Sequence, residues 1–326
     1  MDIASLESLL QKQRPQGPEE NWPTELATIL RGELKLQEPL KRHSSVQIGG
    51  PADAYAIPAD LEDLKNLVAF AYQKRVPLTL LGLGSNVLIR DGGIRGIVVR
   101  LHKALSRIEI IKENESEVII EAEAGAPLPK LIELCRQKGY SGMENLYGIP
   151  GSLGGTLWMN AGTREGEMKD PLIEIEVLRP DGSIVKYARE KLKFEYRSLK
   201  LPSKEIILKS KFRLQKADPQ KVQEKIARYQ KKRHDTQPLD FPNMGSVFKN
   251  PDKGFAAQMI EELGLKGVRV GGARISEKHA NFIINENNAT ARDVLVLIGL
   301  IKDKVRDELD VKLELEVKIL GEDELL

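Results

Sequence analysis

The apolar positions along this chain alternate between the spacing of helices and the spacing of strands. Residues 118–124 alternate apolar and acidic side chains, as a half-buried strand does. Residues 173–178 and 184–187 flank Pro180-Asp181-Gly182, a sequence that favours a tight turn between two strands. Asp60 can cap a helix, and the apolar residues after it recur on one helical face, at Leu61, Leu64, Val68 and Ala71. The first two thirds of the chain therefore predict a mixed α and β domain.

Further elements follow from short local signals. Residues 78–81 form a brief apolar run typical of a strand. Residues 128–136 carry a helical pattern that Gly139 can end, because glycine adopts the left-handed conformation of a helix terminus. Asp218 before proline predicts the start of a basic helix that ends near Arg233.

The last part of the chain predicts one more helix and one strand. Thr290 and Asp293 have the spacing of a capping box, and an apolar face follows them. Residues 311–319 then alternate apolar and charged side chains without a break. This alternation predicts the clearest strand of the sequence.

The length of 326 residues is enough for two domains. We expect a leader over residues 1–40, a first domain over 41–215 and a second over 216–326. Leu6, Leu9 and Leu10 could line one amphipathic turn of the leader, and residues 13–23 should be irregular because they are rich in proline, glutamine and glutamate. The sequence leaves open whether the leader packs on the body or is mobile.

Composition narrows the class of protein without identifying its chemistry. The formal net charge of +2 gives no reason to expect a nucleic acid or a membrane surface as a partner. Cys135 is the only cysteine, which excludes an intrachain disulfide and fits a reducing compartment. The apolar runs are shorter than the roughly 20 residues of a membrane span, and the N-terminus lacks the apolar core of a secretory signal. We expect a cytoplasmic, monomeric protein without a metal site.

Two glycine-rich segments are candidate anion sites. The first glycine loop, Gly82–Asn86, follows a predicted strand directly, and its backbone N–H groups could face a phosphate. By itself it could equally be a tight turn. The second glycine loop, Gly148–Gly155, has four glycines in eight residues, more than a turn requires, so it carries more of the argument. The candidate cofactor contacts are Gly82, Gly84, Ser85, Asn86, Gly148, Ile149, Gly151, Ser152, Gly154, Gly155 and, just beyond, Asn160.

Two later segments are dense in polar side chains. Residues 245–251 place a hydroxyl, an ammonium and an amide beside a proline, and residues 271–281 precede an apolar run. Each segment alone is most simply a solvated loop.

The ordered combination of these motifs closely resembles the UDP-N-acetylenolpyruvoylglucosamine reductase family. The resemblance covers roughly residues 41–321 and fits the branch of the family without an extra substrate-capping tyrosine loop. It implies an α+β protein, with an FAD-binding domain of the vanillyl-alcohol-oxidase-like (PCMH) type over about 47–215 and a C-terminal α/β substrate-binding domain. The matching segments are IGGPAD from Ile48, LGLGSNVL from Leu81, GIPGSLGG from Gly148, MNAG from Met159, YRS from Tyr196, GSVFKNP from Gly245, GLKGVRVGGARISEKHANFIIN from Gly264 and LELEV from Leu313.

The resemblance also implies the chemistry. NADPH would reduce noncovalent FAD, and the flavin N5 would pass hydride to the terminal enolpyruvyl carbon of the nucleotide sugar. Arg197 matches the arginine that stabilises the substrate carboxylate, Ser246 the proton donor and Glu316 their acidic partner. The strand pattern alone would leave both Glu314 and Glu316 solvated, and only the family's motif selects Glu316. The matching substrate-binding residues are Tyr196, Gln237, Lys249 and Asn250.

The sequence departs from the family pattern in the leader and at two short places. Ser44 and Ser45 follow His43 where the family usually has His-Thr, and serine keeps the hydroxyl. Thr163-Arg164-Glu165-Gly166 replaces a small residue, an aromatic and a glycine, which leaves open the wall near the flavin ring. The alternatives are another flavoprotein oxidoreductase of the same fold, such as an oxidase, and a nonredox binding module for nucleotide sugars or polysaccharides.

Overall fold

Seven α-helices and nineteen β-strands form the regular structure of residues 21–202 and 204–324, the part of the chain that the computed structural model describes. The helices are α1 (Trp22–Ile29), α2 (Leu61–Gln73), α3 (Leu128–Lys138), α4 (Leu153–Trp158), α5 (Pro219–Thr236), α6 (Ala256–Glu262) and α7 (Ala291–Leu309). The strands are β1 (Glu33–Pro39), β2 (Pro51–Ile57), β3 (Leu78–Leu80), β4 (Val87–Ile89), β5 (Ile94–Val99), β6 (Ile108–Glu113), β7 (Glu117–Glu123), β8 (Tyr140–Ser141), β9 (Gly162–Thr163), β10 (Gly166–Glu167), β11 (Leu172–Leu178), β12 (Ile184–Ala188), β13 (Lys193–Glu195), β14 (Ser198–Lys200), β15 (Ile206–Lys216), β16 (Arg269–Val270), β17 (Ala273–Ile275), β18 (Ile283–Asn285) and β19 (Lys318–Leu320). Short 3₁₀ turns occur at Leu40–His43, Glu144–Leu146 and Arg189–Lys191.

Two sheets form the first structural unit. The smaller sheet has the order β1-β2-β5-β3, with β2 and β3 parallel to β5, and α2 packs its apolar face against it. The predicted cap of α2 is confirmed, because the Asp60 carboxylate accepts the Asp63 N–H at 2.9 Å. The larger sheet has the order β12-β11-β15-β7-β6, and β8 pairs with the end of β15. This larger sheet and α3 surround the main apolar core.

Two turn predictions in this unit are confirmed. β11 and β12 form the expected antiparallel hairpin, with Leu178 opposite Ile184 and Gly182 at a φ of 82°. Helix α3 ends at Gly139, whose φ of 71° lies in the left-handed region. Glycine adopts this conformation without the steric cost that a Cβ brings.

The described part of the predicted leader packs on the first unit. Trp22 and Leu26 of α1 are buried in the core beside α2, and β1 pairs antiparallel with β2 along its whole length. The expectation of irregular structure is therefore wrong for Trp22 and Pro23, which lie in α1. The proposed turn at Leu6, Leu9 and Leu10 lies outside the described residues.

Helix α5 also packs with the first unit, in contrast to the predicted boundary at residue 215. Its N-cap is as predicted, since the Asp218 carboxylate accepts the Gln220 N–H at 2.9 Å, and the helix continues to Thr236. Val222 and Ile226 are buried in the core of the larger sheet. Strand β15 and α5 thus share a core although a turn separates them.

The second unit consists of the sheet β16-β17-β18, which packs against α7, and of α6, which also packs against α7. The predicted capping box of α7 is confirmed: the Thr290 hydroxyl accepts the Asp293 N–H at 3.1 Å, and the Asp293 carboxylate accepts the Thr290 N–H at 2.9 Å. The apolar core of this unit includes Val46, Ile48 and Leu88 from the first part of the chain. The two units are therefore joined by a continuous apolar contact.

The predicted strand over residues 311–319 is wrong for most of its length. Only Lys318–Leu320 forms a strand, β19, which runs parallel to β4. Residues 311–317 lie against the irregular loop 245–251 and share a single bridge with it, between Leu315 and Phe248. The apolar alternation is real, because Leu313 and Val317 are buried, but no neighbouring strand is available for pairing. The alternation therefore indicates which side chains are buried, and it does not indicate that residues 311–317 pair with another strand.

Candidate active site

A cavity of about 2160 Å³ lies where the two units meet. Both glycine loops, the segment at Arg197, the loop at Ser246 and the residues before β19 all contribute to its wall. Every residue that the sequence singled out lines this cavity except Asn160 and Lys249. The topology thus brings together motifs that are more than 200 residues apart, as Asn86 and Glu316 are, separated by 230 residues.

The first glycine loop joins β3 to β4 and offers a run of free donors. From Gly82 to Asn86 no backbone N–H is bonded to another atom of the described chain, while Leu81 and Val87 on either side lie in sheet contacts. Gly84 has a φ of 68°, and a Cβ there would overlap the carbonyl oxygen of His43. Successive free N–H groups in such a turn form a concave site for an anion.

Most backbone N–H groups of the second glycine loop are already hydrogen-bonded to other groups of the protein. The N–H groups of Leu153 and Gly154 are bonded to Ala126 and Ala124 at 2.8 Å each, and the Gly155 N–H is bonded to the Ser152 hydroxyl at 3.3 Å. This loop supports the first one: the Ser85 hydroxyl donates to the Pro150 carbonyl at 2.7 Å. The first loop therefore has more free N–H donors than the second. The sequence, by its glycine content, had favoured the second loop as the anion site.

Arg197 and Glu316 form a largely buried ion pair at the cavity wall. Arg197 Nε lies 3.1 Å from Glu316 Oε1, and the two side chains are 14% and 17% exposed. The guanidinium also donates to the Gly162 carbonyl at 2.9 Å and lies 3.5 Å from Glu167 Oε1. Arg197 has a φ of 57°, a conformation that costs a non-glycine residue energy and that its tertiary contacts maintain.

The electrostatic environment favours a proton on Glu316. Burial raises the pKa of the Glu316 carboxyl, and the nearby positive charge of Arg197 opposes this shift without cancelling it. The pKa of Lys318 is lowered, first by burial and then by the neighbouring ammonium of Lys249. The protonated form of Glu316 therefore persists to a higher pH than in an exposed carboxyl.

Ser246 is placed beside Glu316 by backbone contacts. It follows Gly245, whose φ is 75°, and its hydroxyl has no hydrogen-bond partner within the described chain. The next residue, Val247, accepts the N–H of Glu316 through its carbonyl at 2.9 Å. A free hydroxyl and a carboxyl of raised pKa thus face the same cavity near the guanidinium of Arg197.

The structure does not bring two predicted contacts to the cavity. Asn160 is completely buried, and its amide donates to Glu167 Oε2 at 2.9 Å, so this side chain orients Glu167. Lys249 pairs with Glu314 at 3.2 Å and does not line the cavity. Among the other predicted substrate contacts, Gln237 follows the end of α5 and lines the cavity. The positions of Asn160, Lys249 and Gln237 depend on tertiary packing, which no local sequence pattern indicates.

Two further predicted contacts border the cavity. Tyr196 lines it, and its ring lies 4.8 Å from the Arg197 guanidinium. Asn250 also lines the cavity, and its side-chain oxygen accepts the Ala256 N–H at 3.2 Å, at the start of α6.

The sequence patterns did not indicate Glu167 or the environment of Arg233. Glu167 joins Arg197, Asn160 and Lys169, whose ammonium is 2.6 Å away, and no spacing rule connects these residues. Arg233 lines the cavity, and a Cβ on Gly148 would lie 2.9 Å from its Nε. Its guanidinium has no partner within the described chain, and burial lowers its pKa. The basic residues near the end of the predicted helix, just before Gln237, were the sequence feature that could have indicated Arg233.

Exposed aromatic side chains also border the cavity and carried no sequence signal, because each is isolated in the chain. Trp158, Phe241 and Phe255 are all exposed and all line its wall. Exposed planar rings of this kind can stack on other planar groups, and one face of Phe255 is already covered by the Arg164 guanidinium.

The departure at residues 163–166 forms the tip of the β9–β10 hairpin. The guanidinium carbon of Arg164 lies 3.9 Å from the centre of the Phe255 ring. Glu165 contacts Arg228 at 3.3 Å and also the hydroxyl of Tyr229 on α5. The replaced residues therefore link the first unit to both α5 and the second unit, while Thr163 alone of the tip lines the cavity.

Neither a metal site nor a reactive thiolate is found in the described part of the chain. Over residues 21–202 and 204–324 there is no group of three or more histidine, cysteine or acidic side chains with metal-site geometry. Cys135 is buried in α3, and burial raises its pKa to about 12, so it is not a thiolate. No helix within the described ranges is both long and apolar enough to cross a membrane.

Comparisons with known proteins agree with this geometry. A family model described as an FAD-binding domain matches residues 52–188, and one described as UDP-N-acetylenolpyruvoylglucosamine reductase, C-terminal domain, matches residues 237–320. A reductase of that name from Syntrophomonas wolfei is 41% identical over 291 residues, which cover 89% of this chain and 96% of the relative. The chain belongs to the UDP-N-acetylenolpyruvoylglucosamine reductase family. A reductase from Listeria welshimeri is similarly 42% identical over 89% of this chain and 96% of its own length.

A solved structure extends the comparison to the fold. The crystal structure of UDP-N-acetylenolpyruvylglucosamine reductase from Thermus caldophilus superimposes with a TM-score of 0.77 at 36% identity, covering 90% of this chain and all of that one. The predicted α+β fold, with an FAD-binding domain followed by the C-terminal domain of this reductase family, is confirmed. The C-terminal match begins at residue 237, directly after α5.

Proposed function

We propose that this protein reduces UDP-N-acetylenolpyruvoylglucosamine to UDP-N-acetylmuramate, with NADPH as reductant and noncovalent FAD as carrier, in peptidoglycan precursor synthesis. The observation that carries the proposal is the placement of Arg197, Glu316 and Ser246 around the same cavity as both glycine loops. The reductases named above support the substrate. All these groups come from one chain, so the proposal requires only a monomer, and we place the reaction in the cytoplasm.

The residues present fit FAD. Its diphosphate would lie on the free N–H groups of the first glycine loop, and the unpartnered guanidinium of Arg233 would lie beside the second. A cavity of about 2160 Å³ exceeds the roughly 300–1,000 Å³ of a single ligand pocket. It therefore has room for the cofactor and for a nucleotide sugar together.

When bound and reduced by NADPH, FAD supplies a hydride to the terminal carbon of the enolpyruvyl group. Hydride addition places negative charge on the neighbouring carbon and the carboxylate. Arg197 would bind that carboxylate through its planar fork, in place of part of its contact with Glu316. Because the charge grows during the reaction, this contact stabilises the transition state more than the ground state.

Ser246 would then donate a proton to the carbon bearing the ether oxygen. Its hydroxyl is free of other protein partners, so it can point into the cavity. Glu316 is held beside it through Val247 and, when protonated, would donate a hydrogen bond to the substrate carboxylate or its enol form. Of the substrate contacts, we propose Tyr196, Gln237 and Asn250 at the cavity wall, and Lys249 as a charge just outside it.

The proposal is tested on the purified protein by its visible spectrum and by its reaction with NADPH. The expected result is a yellow protein whose flavin is released on denaturation and bleached by NADPH without oxygen. Rapid reoxidation of the reduced protein by oxygen alone would favour an oxidase of the same fold. A protein that stays colourless after incubation with FAD would contradict the proposal and favour a binding module.

Gly84→Ala is expected to give a folded protein with little or no flavin. The new Cβ would overlap the His43 carbonyl at a positive φ, so the first glycine loop must move away from its present course. The left-handed conformation adds roughly 1–2 kcal/mol of strain for a residue with a side chain. The measurement is the ratio of flavin to protein absorbance, with circular dichroism to confirm folding.

Gly299→Ala is the matched control. Gly299 lies in α7, and a Cβ there meets nothing within 4 Å. This variant should keep its flavin and gain about 0.5–1 kcal/mol of stability, since alanine favours a helix over glycine. A fully flavinated Gly84→Ala protein would contradict the role of the first loop.

Arg233→Ala is expected to weaken FAD binding by about 10- to 100-fold. A hydrogen bond to a charged group contributes roughly 1.5–3 kcal/mol, and each 1.4 kcal/mol is about tenfold in affinity. The measurement is the dissociation constant of FAD for the flavin-stripped protein. Lys232→Ala is the control, because Lys232 is a mostly exposed neighbour with only a 3.9 Å contact to Glu165. Equal affinities of the two variants would exclude Arg233 from the diphosphate site.

A further inference from the structure

Asn86 ends the first glycine loop, and its side-chain amide is hydrogen-bonded to the carbonyl of Glu316, two residues before β19. We infer that Asn86 is a positioning residue for Glu316, which couples the cofactor loop to the carboxyl that acts on the substrate. This inference rests on the proposed function for its catalytic meaning. Its geometry is independent of any ligand.

Two hydrogen bonds join Asn86 to the chain on either side of Val317. The Asn86 side-chain amide donates to the Glu316 carbonyl at 3.2 Å, and the Asn86 carbonyl accepts the Lys318 N–H at 3.0 Å. The parallel pairing of β4 with β19 begins at the next residue, where Val87 lies opposite Lys318. Asn86 therefore fixes the place where the chain enters β19.

Glu316 needs such an anchor because it lies outside the strand. Residues 311–317 have no continuous ladder, so the position of Glu316 depends on single contacts. Its N–H is bonded to the Val247 carbonyl at 2.9 Å, next to Ser246, and its carbonyl is bonded to Asn86. One anchor thus comes from the proton-donor loop and the other from the cofactor loop.

The hydrogen bond from Asn86 determines how deeply the Glu316 carboxyl is buried. The Glu316 side chain is mostly buried and faces the charged groups of Arg197, Lys249 and Lys318. A released backbone at Glu316 would let the side chain rotate toward water and away from Arg197. A displacement of about 1 Å in such a group can slow a reaction by as much as roughly 100-fold.

The test compares Asn86→Ala with wild type in the two half-reactions under anaerobic conditions. Because Asn86→Ala keeps the backbone N–H that the first glycine loop offers to FAD, the expected result is a retained flavin, a rate of reduction by NADPH within about twofold of wild type, and reoxidation by the enolpyruvyl nucleotide sugar slowed about 10- to 100-fold. Asn86→Asp should also slow reoxidation, because a carboxylate has the size of the amide but cannot donate a hydrogen bond to the Glu316 carbonyl. Asn114→Ala, in the exposed turn between β6 and β7, is the control.

A second measurement does not require the substrate. The Glu316 carboxyl is titrated by ¹³C NMR in the oxidised holoprotein, with Glu316→Gln to assign its signal. We expect the pKa in Asn86→Ala to fall toward that of an exposed carboxyl, because the side chain gains water. An unchanged pKa, or flavin loss with both half-reactions slowed equally, would overturn the positioning role. Failure of wild type to be reoxidised would instead overturn the proposed function and leave the titration to decide on Asn86.

Discussion

Ser246→Ala is expected to slow the second half-reaction by about 10²- to 10⁴-fold, the usual effect of removing a general acid. Reduction of the flavin by NADPH should be unaffected, because it requires no proton from this hydroxyl. The structure separates the two effects well: Ser246 makes no hydrogen bond within the described chain, so alanine removes no internal contact. Stopped-flow spectroscopy of flavin bleaching and of its return measures each half-reaction separately.

Ser183→Ala is the matched control for this prediction. Ser183 lies in the β11–β12 turn, its hydroxyl makes a hydrogen bond only with Asp181, and Ser183 itself does not line the cavity. Both of its half-reactions should match wild type. An equal loss of both half-reactions in Ser246→Ala would assign Ser246 to folding or cofactor binding and not to proton transfer.

Arg197→Met is expected to slow the second half-reaction by about 10²- to 10³-fold, the effect of removing one donor that stabilises a developing negative charge. The substitution should also change the pH dependence. Burial raises the pKa of Glu316 and the charge of Arg197 lowers it, so removing that charge leaves burial opposed only by the smaller effects of Lys249 and Lys318. The pKa attributed to Glu316 in the pH profile should therefore rise relative to wild type.

Two further variants sharpen this prediction. Arg197→Lys restores the charge but not the fork, so it should return the pKa of Glu316 toward its wild-type value with only partial recovery of rate. Arg306→Met removes an exposed arginine of α7 that pairs only with Asp303 and Asp307, and it should change neither property. A wild-type rate of reoxidation in Arg197→Met would exclude Arg197 from carboxylate binding.

The sequence predicted those elements whose signals are local. The cap of α2, the hairpin of β11 and β12 and the capping box of α7 each depend on residues within a few positions of one another. The strand over residues 311–319 failed because pairing depends on what lies alongside, and its neighbour is an irregular loop. Helix α5 shares its core with residues that precede it by many positions, which no local pattern in its own sequence indicates.

The candidate site likewise contains residues that the sequence indicated and residues that it did not. Motif resemblance selected Arg197, Ser246 and Glu316, and the structure places all three around one cavity. It did not find Glu167, which meets Arg197 from 30 residues away, nor the bond from Asn86 to Glu316. Glycine content gave more weight to the second loop, but the number of glycines does not reveal which N–H groups remain free.

The most direct test of the whole account is an anaerobic titration of the NADPH-reduced protein with UDP-N-acetylenolpyruvoylglucosamine. The account predicts that one equivalent of this nucleotide sugar restores the oxidised flavin spectrum and that UDP-N-acetylmuramate appears in the same amount. A reduced spectrum that stays unchanged after a stoichiometric addition, with the substrate recovered intact, would contradict it.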